Sequence, residues 1–257
     1  MATSDVVVGA YRKLAKQLDR LTFAPPVAYV YNPLRYAWRV HEMYLRRALA
    51  GRREVVLLGM NPGPWGMAQT GVPFGEVELV ASWLKLAGEI HRPARQHPAR
   101  PVLGFACRRR EVSGLRLWGW IRQGWGEPER FFARWAVLNY CPLMFLDSDG
   151  RNLTPDRLPA AQRRPLEAAC DEALRTVVAH VAPRLVVGVG TFARRRAAAA
   201  LRSASVTIGE ILHPSPANPR ANRCWAETIT AQLAALGVEL PGAVAPGAAS
   251  VGACRDA

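Results

Sequence analysis

Three side chains able to bind and orient a polar ligand stand at matching places along the chain: Asn61, Asn139 and His213. Each follows a short apolar run, and each is held beside proline. Glu54-Val55-Val56-Leu57-Leu58 leads into Gly59-Met60-Asn61-Pro62-Gly63-Pro64, and Trp135-Ala136-Val137-Leu138 leads into Asn139-Tyr140-Cys141-Pro142. The run from Val206 to Leu212 leads into His213-Pro214-Ser215-Pro216. Proline continues neither a helix interior nor a central strand, so each polar residue falls in a stiff loop at a strand end. In a parallel sheet the carboxyl ends share one edge, the edge at which open α/β folds bind ligands, so the three side chains could meet in one cleft. Taken singly, such an asparagine has an ordinary explanation as an Asx turn, and such a histidine as a satisfied turn residue. Three ends of this kind, each stiffened by proline, are harder to dismiss as capping.

Glu54 to Leu58 is a nearly unbroken β-branched and aliphatic run, the pattern of a strand buried on both faces, and Leu185 to Gly190 is another such run. Helical patterns lie between and around them. Residues 4–22 carry Val7, Val8, Tyr11, Leu14, Leu18 and Leu21 at helical spacing. Further helices are predicted over about 36–50, 76–87, 115–125 with Ser113 as cap, 166–181 with Pro159 and Pro165 breaking its start, and 222–236. Thr191 is read as the cap of an Arg- and Ala-rich helix. Tyr29 to Pro33 reads as an extended connector, and residues 91–100 and 147–153 as loops. The Trp118, Trp120 and Trp125 set reads as core packing rather than a base-stacking platform. The predicted fold is α/β: a single three-layer domain, residues 1–240, with a short, mostly parallel central sheet flanked by helices. Residues 241–257, rich in Ala, Gly, Pro and Ser without period, read as a disordered tail.

The totals narrow the function. A chain of 257 residues, half of them apolar, is globular, and its formal charge of +14 favours a polyanionic partner, most simply nucleic acid. A GC-rich coding bias is the competing explanation, since Lys13, Lys16 and Lys85 are the only lysines. Arg108-Arg109-Arg110 could contact phosphates or be merely solvated. The five cysteines include no CxxC pair, which indicates neither a disulfide framework nor a zinc or iron–sulfur site. His91 and His97 lack acidic or cysteine companions. No metal or other cofactor is expected. No apolar run reaches the roughly 18 residues that span a bilayer, and the N-terminus lacks a signal peptide's order. The expectation is a cytoplasmic protein with a nucleic-acid partner and no membrane.

Gly59 to Val77 (GMNPGPWGMAQTGVPFGEV), the EVSG…WGW helix, NYCPL, GRNLTP and HPSPANPRANR together resemble the single-strand-selective monofunctional uracil-DNA glycosylases. The resemblance is collinear from about Pro25 to Leu236. It implies hydrolysis of the N-glycosidic bond of uracil in DNA, single- or double-stranded, by a nucleoid-associated monomer. Asn61 matches the family's catalytic asparagine, which orients the attacking water; a carboxamide holds a water but is a negligible base. His213 matches the catalytic histidine, whose N–H stabilises charge on the leaving base at O2. Asn139 matches the residue that reads the pyrimidine edge, and Phe74 the ring on which the flipped base stacks. Gly63 leaves room at the base's 5-position, implying activity on 5-hydroxymethyluracil, and Met60 and Met67 line the same loop.

The segment from Pro214 to Arg223 is the expected wedge and phosphate clamp, with Ser215, Pro216, Ala217, Asn218, Arg220 and Arg223 as DNA contacts. Ala217 departs from the family's animal members, which carry a large basic side chain there, so Arg220 is the alternative gap filler. Trp65 stands where a phenylalanine is usual. No lysine falls in these motifs, so no Schiff-base lyase step is expected. Two rivals remain: a glycosylase for deaminated purines such as xanthine or hypoxanthine, and a non-catalytic lesion- or single-strand-binding protein.

Overall fold

The computed structural model describes residues 3–244. In chain order the elements are α1 (Thr3–Leu18), β1 (Tyr29–Tyr31), α2 (Pro33–Tyr36), α3 (Trp38–Ala48), β2 (Val55–Gly59), α4 (Met67–Thr70), α5 (Val112–Trp125) and α6 (Pro128–Phe132). They continue with β3 (Trp135–Asn139), β4 (Met144–Leu146), β5 (Asn152–Leu153), α7 (Ala160–Val181), β6 (Leu185–Val189), α8 (Thr191–Ala200), β7 (Thr207–Ile211) and α9 (Pro219–Ala235).

Four strands form a wholly parallel sheet in the order β3-β2-β6-β7, in a register that sets Gly59 beside Asn139. Every residue of β2, β3 and β6 is buried, as a sheet covered by helices on both faces requires. β3 and β7 are the edge strands, and β7 is only partly covered. The expected three-layer α/β arrangement is therefore present. Aromatic residues fill one region of the core: Trp118 on α5 meets Tyr44 on α3 and Phe131 and Phe132 on α6 at ring separations of 6.0–6.4 Å. The tryptophans predicted to be core are core.

Several local expectations are corrected. The connector at Tyr29 is a strand, paired antiparallel with β4 (Tyr31 opposite Met144), and the 147–153 loop ends in β5, so a second, three-stranded sheet exists. Strands of two or three residues are too short to show a period. The helix expected to Ala87 is cut to a π-type turn, Leu79–Trp83, and Lys85 then takes a positive φ of 52°. Its start agrees with the expected one near Glu76, which accepts from Leu79 N–H at 3.0 Å and pairs with Arg110 at 2.7 Å.

Ser113 and Thr191 are not caps. Glu111 and Gly190 hold those positions; Ser113 is buried in the first turn, and the Thr191 hydroxyl donates to Glu210 at 2.7 Å. Pro165 does not break α7, which starts at Ala160; the carbonyl deprived of its donor belongs to exposed Ala161, where water can serve. α9 starts at Pro219 because the Asn218 side chain accepts from Arg220 N–H at 3.0 Å. The tail assignment also begins too early: residues 242–244 form a turn, with Val244 buried against α5 at Gly124. The remainder of that segment, residues 245–257, lies outside the described residues.

Candidate active site

The loops after β2, β3 and β7 enclose a cavity of about 720 Å³ at the carboxyl edge of the parallel sheet. Asn61, Asn139 and His213 all line it. Met60, Gly63, Met67, Phe74, Ser215, Pro216, Ala217 and Asn218 line it too, so the sequence-predicted set converges with two exceptions. Arg220 and Arg223 are exposed on the first turns of α9 and do not reach the wall. A larger cleft of about 950 Å³ sits at the amino ends of β2, β6 and β7, away from all of these residues.

Each polar side chain is oriented by its surroundings. Asn61 Nδ2 donates to the Leu143 carbonyl at 3.3 Å, which leaves Oδ1 as a free acceptor. Asn139 is buried at the end of β3, with Nδ2 3.3 Å from the Met67 thioether, a weak acceptor that a stronger one can replace. His213 Nδ1 accepts from Ser215 N–H at 3.0 Å, so in the neutral ring the proton sits on Nε2. Burial lowers the His213 pKa to about 4, and the ring is therefore neutral near pH 7.

Phe74 forms the apolar wall. Its ring centroid is 6.0 Å from that of His213, and its backbone has φ = 53°, a region most non-glycine residues avoid. Surrounding contacts hold this conformation: Trp118 Nε1 donates to Pro73 O at 3.0 Å, and Thr70 Oγ1 to Gly75 O at 3.1 Å. Two glycines allow the ring to sit there. A Cβ at Gly59 would lie 2.4 Å from the Phe74 ring and 2.5 Å from Asn139 Oδ1. A Cβ at Gly114 would lie 2.0 Å from the Phe74 carbonyl oxygen. Gly190, with φ = 88°, lets the His213 side chain pass over the end of β6, 3.2 Å from where its own Cβ would stand.

The loop carrying His213 is braced from α5. Arg116 donates to Pro214 O and to Asn222 Oδ1, both at 2.9 Å, and Asn222 Nδ2 donates to Pro216 O at 2.9 Å.

Glu111, Asn152 and Thr154 also line the cavity and were given no role from sequence. They lie inside quoted motifs, EVSG and GRNLTP, and that is the signal that could have found them. Glu111 changes the reading of Gly63. A Cβ there would meet the Glu111 carboxylate at 2.6 Å, so the space over Gly63 is occupied by a carboxylate rather than open. Burial raises the Glu111 pKa and nearby Glu76 adds to it, while backbone N–H groups of Ser113 and Trp65 act the other way.

The site can bind a planar polar ring between Phe74 and Asn139, present a neutral N–H donor from His213, and hold a water at Asn61. The family model of the uracil DNA glycosylase superfamily matches residues 49–234. The single-strand selective monofunctional uracil-DNA glycosylase of Rattus norvegicus is 48% identical over 88% of this chain and 82% of its own length. That of Bos taurus is 49% identical over 88% and 84%. The crystal structure of Pedobacter heparinus SMUG2 superposes with a TM-score of 0.65, covering 93% of this chain and 100% of that one at 17% identity, a likeness of fold. The chain belongs to the single-strand-selective monofunctional branch of the uracil-DNA glycosylase superfamily.

Proposed function

We propose that the chain removes uracil from DNA by hydrolysis of the N-glycosidic bond. The observation that carries this is the meeting of Asn61, Phe74, Asn139 and His213 on one cavity. Uracil extracted from the helix stacks on Phe74, and the Asn139 carboxamide accepts from N3–H and donates to O4. Cytosine presents the reverse pattern at both atoms, so its entry would bury unpaired polar groups. The C1′–N1 bond breaks with its electron pair passing to the base, and His213 Nε2–H donates to the charge that gathers on O2. Water held at Asn61 Oδ1 adds to the sugar cation and releases its proton to solvent. The Asn61 carboxamide cannot ionise that water, so bond breaking runs ahead of attack. No lysine lines the cavity, so the reaction stops at the abasic site.

With the base's 5-position over Gly63, a 5-hydroxymethyl group donates its O–H to the Glu111 carboxylate, which supports 5-hydroxymethyluracil as a second substrate. The segment from Ser215 to Pro219 enters the gap left by the base, with Arg220 and Arg223 facing the backbone beyond. Ala217 supplies little bulk there, so release from duplex DNA is expected to be slower than from single strands. The protein works as a monomer, without a cofactor.

A panel of oligonucleotides containing uracil, 5-hydroxymethyluracil, cytosine, xanthine or hypoxanthine, single- and double-stranded, tests this reading. Release of the two uracils and not of cytosine is expected. Release confined to the purines, or tight salt-dependent binding with no release, would overturn it.

A further inference from the structure

Trp65 stands in the Asn61 loop and lines the cavity, and two arginines lie over its indole. The guanidinium carbon of Arg109 is 4.6 Å from the ring centroid and that of Arg100 is 5.4 Å from it. Both distances fit cation–π attraction. Among the described residues neither guanidinium meets a carboxylate within ion-pair distance; Arg100 Nη1 donates only to its neighbour's carbonyl, Ala99 O, at 2.9 Å. The next residue along shows the contrast. Arg110 is neutralised by Glu76 at 2.7 Å and Glu78 at 3.4 Å. Arg46, Arg134, Arg184 and Arg196 likewise have carboxylate partners.

Two like charges held on one ring repel each other, and among the described residues no carboxylate pairs with either. An anion supplied from outside would. An indole fixes the plane of a guanidinium yet leaves its N–H edge free, and that edge matches two oxygens of a phosphodiester. Since its ring already carries the cations, Trp65 acts here as a support rather than as a stacking platform for a base.

The position selects which phosphate. Trp65 and residues 110–113 form one side of the cavity, and Ser215 to Pro219 line it from the loop after β7. A strand whose base is drawn into the cavity passes a phosphate over the Trp65 side as well as over the Ser215 side. We propose that Arg100 and Arg109, held on the Trp65 indole, form a phosphate clamp that grips the DNA backbone beside the extracted nucleotide. The proposal rests on the reading of the cavity as a base-extraction site. It adds a second grip outside the loop that carries His213.

Arg100→Ala, Arg109→Ala and the double variant test it, with Arg109→Lys retaining charge without the planar fork. Affinity is measured against salt for a single-stranded oligonucleotide carrying 2′-fluoro-deoxyuridine, which resists cleavage. Loss of one phosphate contact should reduce the slope of log affinity against log salt by about 0.7, and the double variant should lose about twice that. A neutral methylphosphonate is then placed in turn at each phosphate near the target. One position should weaken wild-type binding and leave the double variant unaffected. An unchanged salt slope in the double variant, or methylphosphonate penalties that persist undiminished in it at every position, would overturn the clamp. Failure of the wild type to release uracil would instead count against the function, leaving the salt slopes to judge the clamp.

Discussion

At the scale of single residues, the account depends on the protonation state of His213. Its ring lies partly buried in the cavity wall, burial depresses its pKa to about 4, and Ser215 N–H occupies Nδ1. A donor that is neutral at Nε2 does its work without taking up a proton from solvent. The single-turnover rate should therefore show no loss as the pH rises through 6.5, the ordinary histidine value, and should stay level to pH 8. A rate that falls as His213 deprotonates across pH 6–7 would mean that the imidazolium is the working form. Asn61, Asn139 and His213 were legible from sequence because proline marks where each apolar run stops. Phe74 was not legible by pattern, since an isolated aromatic near a helix reads as core; only the resemblance picked it out. Glu111 was missed because its importance is tertiary: it lies against Gly63 and Gly66 from a different part of the chain.

At the scale of elements, two close approaches position Phe74, and they should fail differently. In Gly59→Ala the new methyl displaces side-chain atoms, the Phe74 ring and the Asn139 carboxamide. The sheet should survive, with base release lost by about two orders of magnitude or more and stability changed by about 1 kcal/mol. In Gly114→Ala the methyl meets backbone, the Phe74 carbonyl, so α5 must move off the strand loop. Stability should fall by about 1–3 kcal/mol together with activity. Urea unfolding and single-turnover release on both variants check the contrast, and equal stability losses would refute it. β2, β3 and β6 were read correctly because each is an almost continuous apolar run. The small antiparallel sheet escaped because β1, β4 and β5 have two or three residues each, and pairing between residues 29–31 and 144–146 is a long-range event. Caps were misplaced for a related reason: Glu111 and Gly190 hold those positions beside partners distant in sequence, Gly63 and His213.

For the whole molecule, two histidines, His41 fully buried and His213 partly so, tie stability to pH. His41 sits between α1 and the Gly71 turn; its Nδ1 donates to Gly71 O at 2.7 Å, while buried Nε2 has no partner among the described residues. Burial lowers its pKa to about 4, partly opposed by that hydrogen bond, and His213 is lowered to a similar value. The unfolded chain binds these protons near pH 6.5 and the folded chain does not, so the unfolded state holds more protons in between. The stability is fully present above pH 6.5 and is lost as the pH falls toward and through 4. Urea midpoints should drop across that window, and His41→Gln, whose amide can still donate to Gly71 O, should show a shallower fall. A midpoint that holds steady from pH 7 to 4.5 would contradict this. The net charge of +14 belongs to the same scale, and two of its unpaired cations are the pair over Trp65.

The central claim is that Asn61 and His213 carry the chemistry in a cavity built for uracil. Single-turnover release from a uracil-containing single strand, with wild type, Asn61→Ala and His213→Ala compared at saturating enzyme, tests it most directly. Release by the wild type, with losses of about 100- to 1000-fold in each variant and DNA affinity kept within a few-fold, is the predicted result. Variants that release uracil at the wild-type rate, or a wild type that binds the strand and releases nothing, would contradict the claim.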